Sequence, residues 1–239
     1  MSLVKHIPNT ITSLNLLSGI LGVICAVYSM PGWALVCMLA AAVFDFCDGL
    51  AARLLKAYSP IGAQLDSLAD MVSFGVLPAL MLMSCMQEQG APVWLCYAPL
   101  FIAVMSAVRL AKFNVDTRQT TDFLGLPTPA NALLCASLSA FVAENPQCFL
   151  ADWAGSIAFI PGLSLLLGLM LVSEIPMFGM KVAPGHKLMD AKRIVFLALA
   201  VIAAVLALVL LRSWTLAILL IFSIYVIENL ILSLFPKKA

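Results

Sequence analysis

Between residues 45 and 70 the sequence collects four aspartates, Asp45, Asp48, Asp66 and Asp70, in a chain that elsewhere avoids charge. The stretch reads Asp45-Phe-Cys-Asp48-Gly49-Leu-Ala-Ala52-Arg53, then eight residues, then Gly62-Ala-Gln-Leu-Asp66-Ser-Leu-Ala-Asp70. On helices, Asp45 and Asp48 stand three residues apart and Asp66 and Asp70 four apart, so each pair shares a face. Arg53 alone does not balance four facing carboxylates; either protons or divalent cations make up the difference. Donors that are all oxygen favour a hard ion, magnesium or manganese. Two such ions gripping a diphosphate make a phosphoryl-transfer site. Gly49, Ala52 and Gly62 carry little or no side chain, which lets a nucleotide lie close to the backbone. The plainer alternative is that these acids end two membrane helices and touch lipid headgroups. Ionisable residues inside membrane segments are functional as a rule, which weighs against it.

The elements that must position these residues are membrane helices. Of 239 residues 63% are hydrophobic and 10% charged, against about 25% charged in a soluble domain. A net charge of +1 without a basic run gives no sign of nucleic-acid binding. The seven cysteines show no CxxC or His-rich spacing, so neither zinc nor a disulfide framework is expected. Eight apolar stretches suffice to cross a bilayer: about 11–30, 33–54, 65–86, 93–113, 127–144, 153–173, 193–211 and 214–235. The first is longer than a signal-peptide core and reads as a retained span. The second and third carry the aspartates at their facing ends, joined by a short loop at Tyr58, Ser59 and Pro60, with Pro60 and Gly62 as the break.

Eight spans leave both termini on one side. Lys5, Arg53, Lys56, Arg109, Lys112, Arg118, Lys181, Lys187, Lys192, Arg193, Lys237 and Lys238 then share that side, and Arg212 alone of the 13 basic residues faces the other. The positive-inside rule makes the shared side cytoplasmic. Trp33, Trp94, Trp153 and Trp214 each stand at the outer start of an inward-running helix, as an interfacial aromatic belt requires. The expectation is an all-α polytopic membrane protein with its acidic site facing the cytoplasm.

The spacing D-x-x-D-G-x-x-A-R, eight residues, G-x-x-x-D-x-x-x-D resembles the signature of the CDP-alcohol phosphotransferase family without a departure. The resemblance implies that family's fold, two divalent cations (Mg²⁺ or Mn²⁺) on Asp45, Asp48, Asp66 and Asp70, and a homodimer. It implies Asp70 as the catalytic base, and CDP held by Asn9, Thr12, Asp48, Gly49, Ala52, Arg53 and Gly62. The segments Asp66 to Pro78, Arg109 to Asn114 and Gly125 to Pro129 resemble the branch whose substrates are CDP-diacylglycerol and L-serine. Acceptors such as glycerol phosphate or inositol mark the alternative branches. The resemblance covers roughly residues 5–182, so the expected organisation is a six-helix core at 1–182 followed by two further helices at 183–239. Placement in a bacterial inner membrane rests on the same resemblance.

Several residues keep two readings. Pro8 suits a chain running along the surface before a helix, with Thr10 or Thr12 as its cap. In the family reading Asn9 meets the cytosine or ribose and Thr12 a phosphate oxygen. Arg109 and Lys112, three residues apart, can face one cavity and bind an acceptor carboxylate or the lipid diphosphate, or else snorkel to headgroups. Glu228-Asn229, inside the last span, reads as a helix-packing hydrogen bond, with a substrate role as its alternative. An aspartate-rich prenyltransferase lacks the paired glycines and arginine at this spacing. A transporter would place its polar residues near the midplane and show repeated halves.

Overall fold

The computed structural model describes residues 6–115, 123–178 and 191–234. The expected division between residues 182 and 183 lies outside them, as do Lys5, Arg118, Lys181, Lys187, Lys237 and Lys238. Ten α-helices follow in order: α1 His6–Val27, α2 Pro31–Leu54, α3 Pro60–Asp70, α4 Leu77–Glu88, α5 Leu100–Val115, α6 Thr128–Glu144, α7 Phe149–Ala154, α8 Phe159–Val172, α9 Ala191–Val205 and α10 Trp214–Leu234. Their apolar residues are largely exposed on the outside, as lipid-facing surfaces must be. The chain is an all-α polytopic membrane protein.

Among the described residues, six helical stretches are long and apolar enough to cross a membrane: His6–Val27, Pro31–Leu54, Pro60–Glu88, Leu95–Val115, Lys192–Val209 and Trp214–Leu234. Two of the eight expected spans are shorter. Helix α8 has 14 residues and α6 has 17, about 21 and 26 Å at 1.5 Å per residue. The reason in α6 is its position. Thirteen of its residues are buried, among α2, α4 and α10, so it meets protein on most sides and tolerates Asn131, Ser137 and Ser139 inside.

Helix α1 begins earlier than expected. Pro8 lies within its first turn, where a missing N–H breaks no helical bond. Thr10 and Thr12 are therefore not caps. Their hydroxyls donate back to the carbonyls of His6 and Pro8, each at 3.0 Å, the usual outlet for a threonine inside a helix. Gly62, expected in the loop, stands in the first turn of α3, where its N–H donates to the capping Ser59 hydroxyl at 2.9 Å.

Between α3 and α4 the helix widens into a π segment, Met71–Val76. A short antiparallel pair joins β1 (Phe123–Leu124) to β2 (Pro176–Met177). Gly125, at φ 77°, follows β1, and a Cβ there would sit 2.7 Å from the carbonyl oxygens of Leu171 and Ser173. The glycine N–H donates to Ile175 and the Leu126 N–H to Met170, both at 2.9 Å. These bonds hook the start of α6 onto the end of α8.

Contacts assign the helix ends. Asn9 meets Gly62, Asn114 donates to Ser67 and Lys112 reaches Val172, so these termini share one end of the bundle. Ser84 donates to Ala26 and Thr215 to Glu144, which pairs the opposite termini of α1 with α4 and of α6 with α10. Asn229 accepts from the Phe178 N–H at 2.9 Å, the packing role expected of it.

Candidate active site

Helices α2 and α3 each pack against α1, which brings their aspartates together. Asp45, Asp48 and Asp66 each bring a carboxylate oxygen within 4.8 Å of the other two. Asp48 is buried and its Oδ2, like Oδ1 of Asp66, has no hydrogen-bond partner among the described residues. Buried anionic oxygens without donors need positive charge. Three carboxylates within reach of one point are a hard-cation donor set, so the residues fit the ions that the spacing implied.

Asp70 lies outside that trio. It feels the charges of Asp45, Asp66 and Asp48, yet its Oδ1 accepts a hydrogen bond from Asn15 Nδ2 at 3.1 Å. The Asn15 amide is itself fixed, because Ser73 Oγ donates to its Oδ1 at 2.8 Å. Asn15 and Ser73 are both fully buried, and a Cβ at Gly19 would run into the Ser73 hydroxyl. The sequence reading passed over Asn15. The available signal was an amide side chain in the middle of an apolar span, which is rarely idle.

The expected nucleotide-side residues surround the trio unevenly. Thr12 lies within hydrogen-bonding reach of Asp48, although its single proton is also directed at the Pro8 carbonyl. A Cβ at Gly62 would come 3.0 Å from Asn9 Oδ1, so Asn9 packs over the start of α3. Gly49 and Ala52 lie partly exposed along α2. Arg53 is exposed and folds back on its own helix, its Nε donating to the Gly49 carbonyl at 2.9 Å.

Arg109 and Lys112 differ in exposure and in partners. Arg109 is buried, donates from Nη1 to Thr128 Oγ1 at 2.8 Å, and lies within electrostatic reach of Asp70 and Tyr225. Lys112 is exposed and donates to the Val172 carbonyl at the C-terminus of α8, where a cation meets the negative end of the helix dipole. Three-residue spacing leaves about 60° between two side chains on a helix. That is enough here to send one inward and one outward.

The profile of the family described as CDP-alcohol phosphatidyltransferase matches residues 5–172. A protein of Mycobacterium bovis is 34% identical over 208 residues, 84% of this chain and 71% of its own length. One of Helicobacter pylori is 32% identical, covering 70% of each chain. One of Methanocaldococcus jannaschii is 29% identical over 71% of this chain and 72% of its own. All three bear the name CDP-diacylglycerol–serine O-phosphatidyltransferase.

Proposed function

Because the chain belongs to the CDP-alcohol phosphatidyltransferase family, we propose that it transfers the phosphatidyl group of CDP-diacylglycerol to the hydroxyl of L-serine, with release of CMP. The observation that carries the reading is the convergence of Asp45, Asp48 and Asp66, with Asp70 held beside them by Asn15.

Asp45, Asp48, Asp66 and Asp70 would hold two divalent cations, magnesium or manganese. When bound, these ions would offset charge on the diphosphate as it develops. The remaining chemistry belongs to the side chains. Asn9, Thr12, Asp48, Gly49, Ala52, Arg53 and Gly62 form the nucleotide side, with small residues leaving the backbone accessible and Arg53 adding charge. Asp70 accepts the proton of the serine hydroxyl as its oxygen forms a bond to the lipid-bearing phosphorus. The P–O bond to CMP breaks, and the leaving phosphate takes the electron pair. Arg109 supplies the positive charge for the acceptor. The acyl chains stay in the bilayer, and the charge asymmetry of the sequence supports a site open to the cytoplasm. A homodimer follows from the family resemblance, and mass measurement in lipid nanodiscs tests it.

Purified protein with CDP-diacylglycerol, manganese or magnesium, and a panel of alcohols should yield phosphatidylserine from L-serine. A product formed instead from glycerol phosphate or inositol would move the chain to another branch. Chelating divalent ions should abolish turnover, and full activity in chelator would sink the metal site.

A further inference from the structure

We infer that Ser106, Arg109 and Asn131 form a pocket that binds the carboxylate of the acceptor amino acid; the inference rests on the serine reading above. Their exposures are 0%, 8% and 0%. Each keeps a buried polar atom with no hydrogen-bond partner among the described residues: Ser106 Oγ, Arg109 Nε and Asn131 Nδ2. Folded proteins pair nearly all such groups, so three orphans need a reason.

They share a location. Ser106 and Arg109 are three residues apart on α5, and Thr128 and Asn131 three apart on α6. The bond from Arg109 to Thr128 ties the two helices together there. The π segment packs against both helices, and a Cβ on its Gly75 would lie 3.2 Å from Ser106 Cβ. That segment begins directly after Asp70, and Asp70 acts electrostatically on Arg109.

They also share a chemistry, since each open atom can donate. Arg109 Nη1 is committed to Thr128, while its Nε–H edge is the one that grips carboxylates in parallel. The Asn131 amide oxygen faces the Cys135 thiol at 3.8 Å, which leaves the NH₂ group as the open end. The Ser106 hydroxyl donates or accepts. An anion with several lone pairs satisfies such a set, and a neutral alcohol does not. The lipid diphosphate is anionic too, so the test must separate the two.

The full-length protein in nanodiscs, with CDP-diacylglycerol and manganese, is assayed with L-serine and with serinol, in which CH₂OH replaces the carboxylate. Wild type should prefer serine in kcat/KM by about 100-fold or more, the value of charged hydrogen bonds. Asn131→Ala and Ser106→Ala should each raise the serine KM, Asn131→Ala by about 10-fold, and shrink the preference for serine. The KM for CDP-diacylglycerol should move less than about 2-fold. Asn131→Asp should weaken serine further than Asn131→Ala by repulsion. Equal use of serine and serinol by wild type overturns the pocket while leaving serine transfer standing. So does a serine preference unchanged in the variants, or a rise in KM shared by both substrates. Transfer to glycerol phosphate alone overturns the functional reading itself.

Discussion

Asp70 and Asn15 separate two roles that four equivalent aspartates would blur. A base gains a fixed direction, since Oδ1 is engaged by Asn15 and the other oxygen makes no hydrogen bond among the described residues. Asp70→Asn should therefore cut kcat by roughly 10²–10⁴. It should spare CDP-diacylglycerol affinity better than Asp45→Asn or Asp66→Asn; equal losses of affinity would remove the base assignment. Asn15→Ala should lower kcat by about 10-fold with little change in either KM, and Ser73→Ala should reproduce part of that loss by freeing the amide. Arg109→Ala should raise the serine KM by roughly 10- to 150-fold, and steady-state kinetics in both substrates checks it. The cluster of Asp45, Asp48 and Asp66 was legible because fixed spacing on helices is enough to bring them together. Ser106 and Asn131 were not, because their surroundings lie on other helices, and Asn15 carried only the mark of an amide inside an apolar span, which names no partner. Lys112 kept two readings in the sequence, and its contact with the carbonyl at the end of α8 is beyond what spacing along α5 can show.

At the scale of elements, the helices that carry the aspartates and the loop joining them followed from hydropathy, Ser59 and Pro60. The π segment did not. Met71–Val76 contains no sequence mark that distinguishes five-residue from four-residue hydrogen bonding; packing against α1, α5 and α6 decides it. Such a segment holds one residue more than an α-helix of the same span. It turns Ser73 toward Asn15 and Gly75 toward Ser106 while Asp66 completes the trio and Asp70 stands beside it. Deleting one residue in 71–76 should rotate the preceding aspartates against α4 by about 100° and abolish activity while the protein still inserts. The turn at Gly125 has a comparable task. Gly125→Ala forces a side chain into a left-handed turn and against the carbonyls at the end of α8, costing more than about 1 kcal/mol. It should lower the unfolding temperature and raise the serine KM, because it displaces Thr128 and so Arg109.

At the scale of the whole molecule, the C-terminal helix α10 is packed onto helices that precede it. The family match ends at residue 172, and the family resemblance set 183–239 apart as two further helices after a six-helix core. Yet α10 packs along α6, Tyr225 donates to the Phe178 carbonyl at 3.1 Å and stands within reach of Arg109. Phe178, Phe196 and Tyr225 meet edge to face, with ring centroids 5.4–5.8 Å apart. Truncation after residue 182 should therefore cost both folding and acceptor affinity, measured by detergent-resistant monodispersity and by serine KM. A truncated protein with wild-type kinetics would show the last two helices to be dispensable. The burial of α6 has a further consequence, for biogenesis. A 17-residue helix carrying Asn131, Ser137 and Ser139 is a poor membrane segment on its own, and it emerges from the ribosome before α10 exists to cover it. Its insertion must lean on α2 and α4, already in the bilayer, and its lipid-facing side stays uncovered until the final helix is made. Substitutions that make α10 less apolar should thus appear first as misinserted, rapidly degraded protein.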